Sequence, residues 1–371
     1  ADIDNFPVNY PNCTDLEGGL TISGGSIVNL YGLSQLNSIG GDFNILYTVQ
    51  LNSLAGMDGL TSVGGNINLT ENYTLSSTMG LNNLETIGGF LVIYKNNFLS
   101  NLAGFSSLVS VGNDVAIGYN TGLTSFSGLG NLTSVGNIFD IDHNPVLSNI
   151  SDLANLTTVG GYFAIQYCDV LSSVDGLEAL TSVGGDLSIH NNSALSSIAG
   201  LESLTSIDGE FSIRNNPELT SLAGLDNIEA GSINDMKIYS NTMLSTCEVL
   251  SVCNYLGSPS GVVLINNNAS GCNSLQEVED ACVWVSVDEF DDLQSISIYP
   301  NPASSSITIE NSSSHFAEAR LSISNTSGQQ VVLQKIKDEK LTLDISDLPA
   351  GIYIVKVFDE DMLFVEKLVK E

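Results

Sequence analysis

The chain has 371 residues, enough for more than one core, and sets 42 acidic side chains against 10 basic ones for a net charge of −32. Such a surface repels nucleic acid and anionic lipid, which excludes both as partners, and it suits the solubility of an exported protein. No apolar run reaches the roughly 18 residues that a membrane-spanning helix needs.

The charge is uneven. Residues 295–371 carry 11 acidic and 7 basic side chains, and residues 1–294 carry 31 and 3. That contrast predicts two parts of different origin. The chain begins at Ala1 without a basic-then-apolar leader, as in a cytosolic protein or one whose signal peptide has been removed. Its cysteines favour removal, because they are grouped as in a disulfide-stapled protein of an oxidising compartment.

Residues 1–15 are expected to form an N-terminal cap. Residues 16–244 repeat: Gly40, Gly64, Gly88, Gly112, Gly136, Gly160 and Gly184 recur every 24 residues, and Asp208 continues the count. The phrase "LTSVGG" stands at 60–65 and again at 180–185. Each unit then gives an alternating pair, such as Ile67 and Leu69, Leu91 and Ile93, or Leu187 and Ile189. A period of two means a strand with these residues facing inward. Asn72, Asn96, Asn120, Asn144, Asn192 and Asn216 follow at a fixed offset, with Thr48 and Cys168 in the same slot. Buried asparagines there could link turn to turn, since each amide has donors and an acceptor. Cys168 then reads as a small ladder residue rather than a reactive thiol. The recurring glycines are expected to take positive φ at a sharp corner. The result is a mostly all-β fold, a right-handed parallel β-solenoid of about ten turns stacked about 4.8 Å apart, with "VVLINNN" (262–268) as a last strand.

Counting by the repeat also aligns the outward positions, where the scaffold varies. The first column runs Asn44, Asn68, Val92, Ala116, Asp140, Ala164, Ser188, Ser212, Lys237. The second includes Tyr94, Asp142, Gln166, His190, Arg214 and Tyr239, and the third includes Tyr47, Glu71, Lys95, Tyr119, His143 and Tyr167. All three cations of residues 1–294, both of that part's histidines and five tyrosines fall on this face. Variable and tyrosine-rich positions on a monotonous scaffold are what a binding surface looks like. Tyr47, Tyr94, Lys95, Tyr119, Asp142, His143, Tyr167, His190, Arg214 and Tyr239 are the candidate ligand-binding residues, and the candidate partner is a glycan or a surface protein.

Residues 245–282 hold Cys247, Cys253, Cys272 and Cys282, with no CxxC pair and no histidine nearby. This is not zinc spacing; it predicts a disulfide cap on the solenoid's end. Three pairings are possible, of which Cys247–Cys272 with Cys253–Cys282 is preferred. Two short helices are expected over 245–257 and 273–282, with Thr246 and Asn273 as N-caps. The repeat resembles the receptor L domain, a leucine-rich-repeat relative found in growth-factor-type receptor ectodomains and microbial surface proteins. The likeness covers about residues 16–282 and implies the solenoid. It does not imply receptor-like binding, because this chain has more turns than a single L domain.

Residues 283–294 read as a linker with an acidic knot. Then "SISIYPNPASSSITIE" (295–310), "ARLSISNTSGQQVV" (319–332), "LTLDISDLPAGIYIVKV" (341–357) and "MLFVEKLVKE" (362–371) give short strands with regular turns, expected to form a small immunoglobulin-like β-sandwich. Tyr299-Pro300-Asn301-Pro302, Gly328 with Val331, Leu348-Pro349-Ala350-Gly351-Ile352-Tyr353 and Lys367 make this tail resemble the type A C-terminal sorting domain of the Bacteroidetes type IX secretion system. The resemblance implies signal-peptide-dependent passage through the periplasm and recognition by the outer-membrane translocon and its shuttle protein. It also implies release or attachment at the outer cell surface.

No HExxH, GxSxG, P-loop or dinucleotide fingerprint is present, and no cofactor or metal is expected. The best catalytic pair is Asp140 with Asp142, pointing outward about 7 Å apart, with His143 beside them. The adjacent turns offer only Ala116, Gly118, Ala164 and Gln166. The expectation is therefore a secreted or surface binding protein and not an enzyme. The alternatives are a polysaccharide-active enzyme on the same scaffold and a structural surface component.

Overall fold

The computed structural model describes residues 3–282, 296–311, 319–325, 330–336, 340–358 and 363–371. The chain divides into two compact units, Ala1–Ser286 and Val287–Glu371.

The first unit is a parallel β-solenoid. Its principal sheet has eleven parallel strands in chain order, from Leu20–Ser23 to Val263–Asn266. A second sheet stacks nine two-residue strands, from Asp15–Leu16 to Ser206–Ile207. On a third side, single bridges such as Ser53 to Ser77 and Ser173 to Ser197 join the "LSS"-type segments. The register pairs equivalent residues of consecutive repeats, so Val115 lies beside Phe139 and Phe139 beside Phe163. Columns in the sequence alignment are therefore columns in space. Alternation puts Phe139 and Ile141 inside with the leucines of the other sides, in one continuous core from Ile22 to Cys282.

The recurring glycines play a different part from the one expected. None of Gly40 to Gly184 in that series has positive φ; the left-handed glycines are others, such as Gly56, Gly80 and Gly128. The recurring series is needed for close approach. A Cβ on Gly136 would lie 2.0 Å from the carbonyl oxygen of Gly112, and one on Gly160 2.1 Å from that of Gly136. Each turn's corner rests directly on the backbone of the turn before.

The C-terminal end is closed by helices Leu250–Gly257 and Leu275–Cys282. Disulfides join Cys247 to Cys272 and Cys253 to Cys282, the preferred pairing. Both helices start later than the sequence suggests. Thr246 does not cap the first: it bridges Ser221 in the last rung, and the helix begins after Val249 without a side-chain cap. The second is capped by Ser274, not Asn273. The Ser274 hydroxyl accepts from the Glu277 N–H at 3.3 Å, and the Glu277 carboxylate accepts from the N–H groups of Asn273 and Gly271. This is a capping box shifted by one residue.

The second unit contains two antiparallel sheets. Ile296–Tyr299, Ser306–Asn311 and Lys340–Asp344 form one; Gln330–Lys335, Arg320–Asn325, Gly351–Phe358 and Leu363–Lys370 form the other. They share a core that includes Ile298, Ile309, Leu321, Val355 and Leu368. The strands flanking Leu348-Pro349-Ala350-Gly351 go to different sheets, so that motif is a crossover and not a hairpin turn. The expected linker 283–294 and the Gly328 turn lie outside the described residues.

Candidate ligand-binding face

Each turn leaves the principal strand through one residue in the left-handed region and then reaches the ladder position. From Tyr47 to Asn267, ten such residues have φ between 51° and 59°, among them Glu71, Lys95, Tyr119, His143 and Tyr167. The ladder fixes this corner. The Asn96 Oδ1 accepts from the backbone N–H of Asn72 at 3.1 Å, and its Nδ2 donates to the Leu69 carbonyl of the preceding strand at 2.8 Å. Asn72, Asn120, Asn192 and Asn216 do the same, and Asn241 and Asn268 extend the ladder beyond the asparagines aligned from sequence. Thr48 and Cys168 occupy the same slot, buried, and burial pushes the Cys168 thiol up to about 12, so it is not a nucleophile. A second ladder was not apparent in the sequence. Asp42, Asn66, Asp114, Asp186 and Asp235, each just before a strand, accept from a backbone N–H of the following turn.

The left-handed corner aims its side chain out from the end of the strand, beside the second column. Five rings there form a continuous ladder. Tyr94 and Tyr119 lie 5.2 Å apart and tilted, and Tyr119 stacks on His143 at 4.3 Å with 7° between planes. His143 stacks on Tyr167 at 4.1 Å, and Tyr167 meets His190 edge-on at 6.0 Å. Lys95 covers the free side of Tyr94 at 5.1 Å and pairs with Glu71 at 3.3 Å. The central ring faces are thus spent on one another. What the ladder offers outward is ring edges: phenolic hydroxyls and an imidazole, about one per turn.

The structure brings Tyr94, Lys95, Tyr119, His143, Tyr167 and His190 together, with Asp142 held against the His143 Nδ1 at 2.5 Å. Arg214 lies across from His190, and Tyr239 across from Arg214. Tyr47 stands at the corner two turns before Tyr94's and is no part of the stack. Asp140 does not join Asp142 in an open pair. It is half-buried and accepts from the Gln166 amide at 3.0 Å, and burial raises its pKa.

Beyond the stack the face closes over. Ser188, His190 and Ser212 point outward from their strands yet are buried. Burial lowers the His190 pKa to about 4, with the Arg214 charge adding to the effect, so this imidazole is neutral at neutral pH. The Asn191 amide donates to the His190 Nδ1 at 2.9 Å, which places the ring proton on Nε2. Tyr162, unremarked in the sequence, covers this region and engages the Ser188 hydroxyl. Its signal was there to be seen: a tyrosine in the column otherwise rich in Asp and Asn. Tyr73, just after the ladder residue Asn72, also lies beside this face, donating to Glu71 at 2.8 Å.

In the second unit the motif residues tie the last strand down. Asn301 donates to the Lys367 carbonyl at 2.6 Å and accepts from the Val369 N–H at 2.9 Å. Tyr353 is buried and donates to the Pro349 carbonyl at 2.8 Å. Tyr299 donates to Glu310, and Lys340 donates to Tyr299 at 2.8 Å. Pro300 and Pro302 follow cis peptide bonds in the turn that carries Asn301.

A parallel solenoid with a polar, aromatic strand-end face, followed by a small two-sheet unit, is the class of protein that the fold defines. Residues 297–371 match the family model of the secretion system C-terminal sorting domain. No curated protein matches the chain. The tail marks a type IX secretion substrate, a protein that is secreted or held at the cell surface and that engages the secretion machinery. Among the described residues no helix is long and apolar enough to cross a membrane.

Proposed function

We propose that this protein is an exported binding or adhesion protein whose solenoid presents the Tyr94–Tyr167 stretch of its ring ladder to a surface glycan or protein. One observation carries the reading. A left-handed backbone costs an ordinary side chain about 1–2 kcal/mol, and Asn or Gly occupies it most easily. The chain uses Asn at Asn191, Asn215 and Asn267, but places Tyr47, Glu71, Lys95, Tyr119, His143 and Tyr167 in the same corner. The fold does not require these side chains there, so a role outside the fold accounts for them better.

The edge-on ladder favours a ligand read by hydrogen bonds over one clasped between ring faces. We read the face as binding and not catalytic: Asp142 is engaged by His143, and Asp140 is turned toward Gln166. The asparagine ladder supports the leucine-rich-repeat L-domain-like reading of the solenoid, and the two-sheet core supports an immunoglobulin-like tail. Signal-peptide-dependent passage through the periplasm belongs to the same proposal.

The test is a glycan and surface-protein array probed with the intact chain and with Tyr119→Asn/Tyr167→Asn. Asparagine suits the corner, so the variant should fold as well as the parent. Binding should drop at least tenfold; unchanged binding across the array would refute the ring-ladder reading.

A further inference from the structure

Residues 1–294 hold three cations among 31 acids, and two of the three are paired. Lys95 holds Glu71, and Lys237 holds Glu210 at 2.6 Å. The Arg214 guanidinium makes no hydrogen bond or ion pair with any described residue. Guanidinium offers five donors in a planar fork suited to a carboxylate. On so acidic a scaffold, a half-buried arginine that binds none of the protein's own carboxylates is open to an anion from outside.

A second, independent observation lies on the same strand. Ser212, two residues before Arg214 and on the same outward face, is 2% exposed, and its Oγ is the one buried side-chain polar atom without a partner among the described residues. A buried hydroxyl without a partner destabilises the chain that carries it, so its retention asks for a missing partner. Beside these two residues lie His190 and Ser188 on the neighbouring strand. His190 is 5% exposed and carries its proton on Nε2, so it can donate without adding charge. Two acids of this face are already committed, Asp140 to Gln166 and Glu210 to Lys237.

We propose that Arg214, Ser212 and His190 form a subsite for a carboxylate, and that the ligand laid along the ring ladder is a polysaccharide in which uronic acids are separated by neutral sugars. This rests on the binding reading above and narrows it. A single open cation accommodates one carboxylate at a time, while the surrounding charge turns away a densely anionic polymer or acidic peptide. The hydroxyls of the neutral sugars match the row of ring edges.

The experiment titrates the full chain with a panel of polysaccharides that alternate uronic and neutral sugars, each beside its carboxyl-reduced form and a sulfated counterpart. At least one acidic polymer should bind at least tenfold tighter than its reduced form. In Arg214→Gln that difference should disappear. Ser212→Ala should weaken the acidic polymer a few-fold while leaving the melting temperature equal or higher, which separates lost contact from lost fold. Equal binding of acidic and reduced forms, or tighter binding of sulfated ones, overturns the carboxylate subsite but leaves the ladder reading standing. Binding to none of the panel overturns the subsite, and a protein hit on the array would then identify the other class of ligand. Loss of all binding in Tyr119→Asn/Tyr167→Asn, with Arg214→Gln indistinguishable from the parent, also overturns the subsite alone.

Discussion

His190 shows how one residue's surroundings set a property of the whole chain. Its imidazole is buried beside Arg214, and its pKa falls from the ordinary 6.5 to about 4. The folded protein therefore binds fewer protons at this residue than the unfolded chain does between those values. Stability from this residue is full above about pH 6.5, declines as the pH drops toward 4, and is flat below. The span corresponds to about 3 kcal/mol. Asp140 works in the opposite direction, since its pKa is raised and its folded form gains protons first. The clean measurement is a difference: denaturant midpoints of the parent and of His190→Gln at pH 7.5 and pH 4.5. The parent should lose more stability between the two than the variant does, by about 2 kcal/mol, since pH 4.5 stops short of the folded pKa; equal losses would mean the imidazole is not buried neutral.

At the scale of the element, the turn explains what could be read from sequence and what could not. The strands, their register and the asparagine ladder were legible because a fixed period converts spacing directly into stacking, as with Asn96 and Asn120. The left-handed corner was not legible, because tyrosine, lysine and glutamate do not announce positive φ; the corner's path imposes it on whatever residue stands there. The glycines misled for a related reason. Absence of a Cβ permits both positive φ and close approach, and sequence does not say which is in use. Asn273 and Ser274 can both cap, and only the place of Glu277 decides for Ser274. The candidate face was legible as columns, while the ring stacking and the burial of Ser212 depend on neighbours that no single repeat contains. The close-approach reading of the glycines makes a sharp prediction. Gly136→Ala should destabilise the solenoid by about 2 kcal/mol or more, because its Cβ would meet a backbone carbonyl that cannot move without shifting the turn below. Gly231→Ala, with open space at its Cβ, should stay within about 0.5 kcal/mol of the parent in the same denaturant titration.

At the scale of the whole molecule, two cores with no shared residue carry two different tasks. The solenoid core runs from Ile22 to Cys282 and is closed at its end by both disulfides; the other begins at Ile296. Stacked repeats need their ends covered, and that cap lies wholly within the first unit. Removing residues 295–371 should therefore leave a solenoid with the parent's strand signal by circular dichroism and its melting temperature nearly unchanged. What should change is destination. In a type IX-competent host the truncated chain should accumulate in the periplasm, while the parent appears at the surface or in the medium, as read by fractionation and immunoblot. Asn301→Ala in the intact chain is the finer version. It removes the two side-chain hydrogen bonds from Asn301 to the strand Leu363–Lys370 and should cut export without touching the solenoid. Normal export of the truncated chain would show that the address lies in the solenoid. Normal export of Asn301→Ala alone would show that the machinery reads the tail's surface and not the anchoring of its last strand.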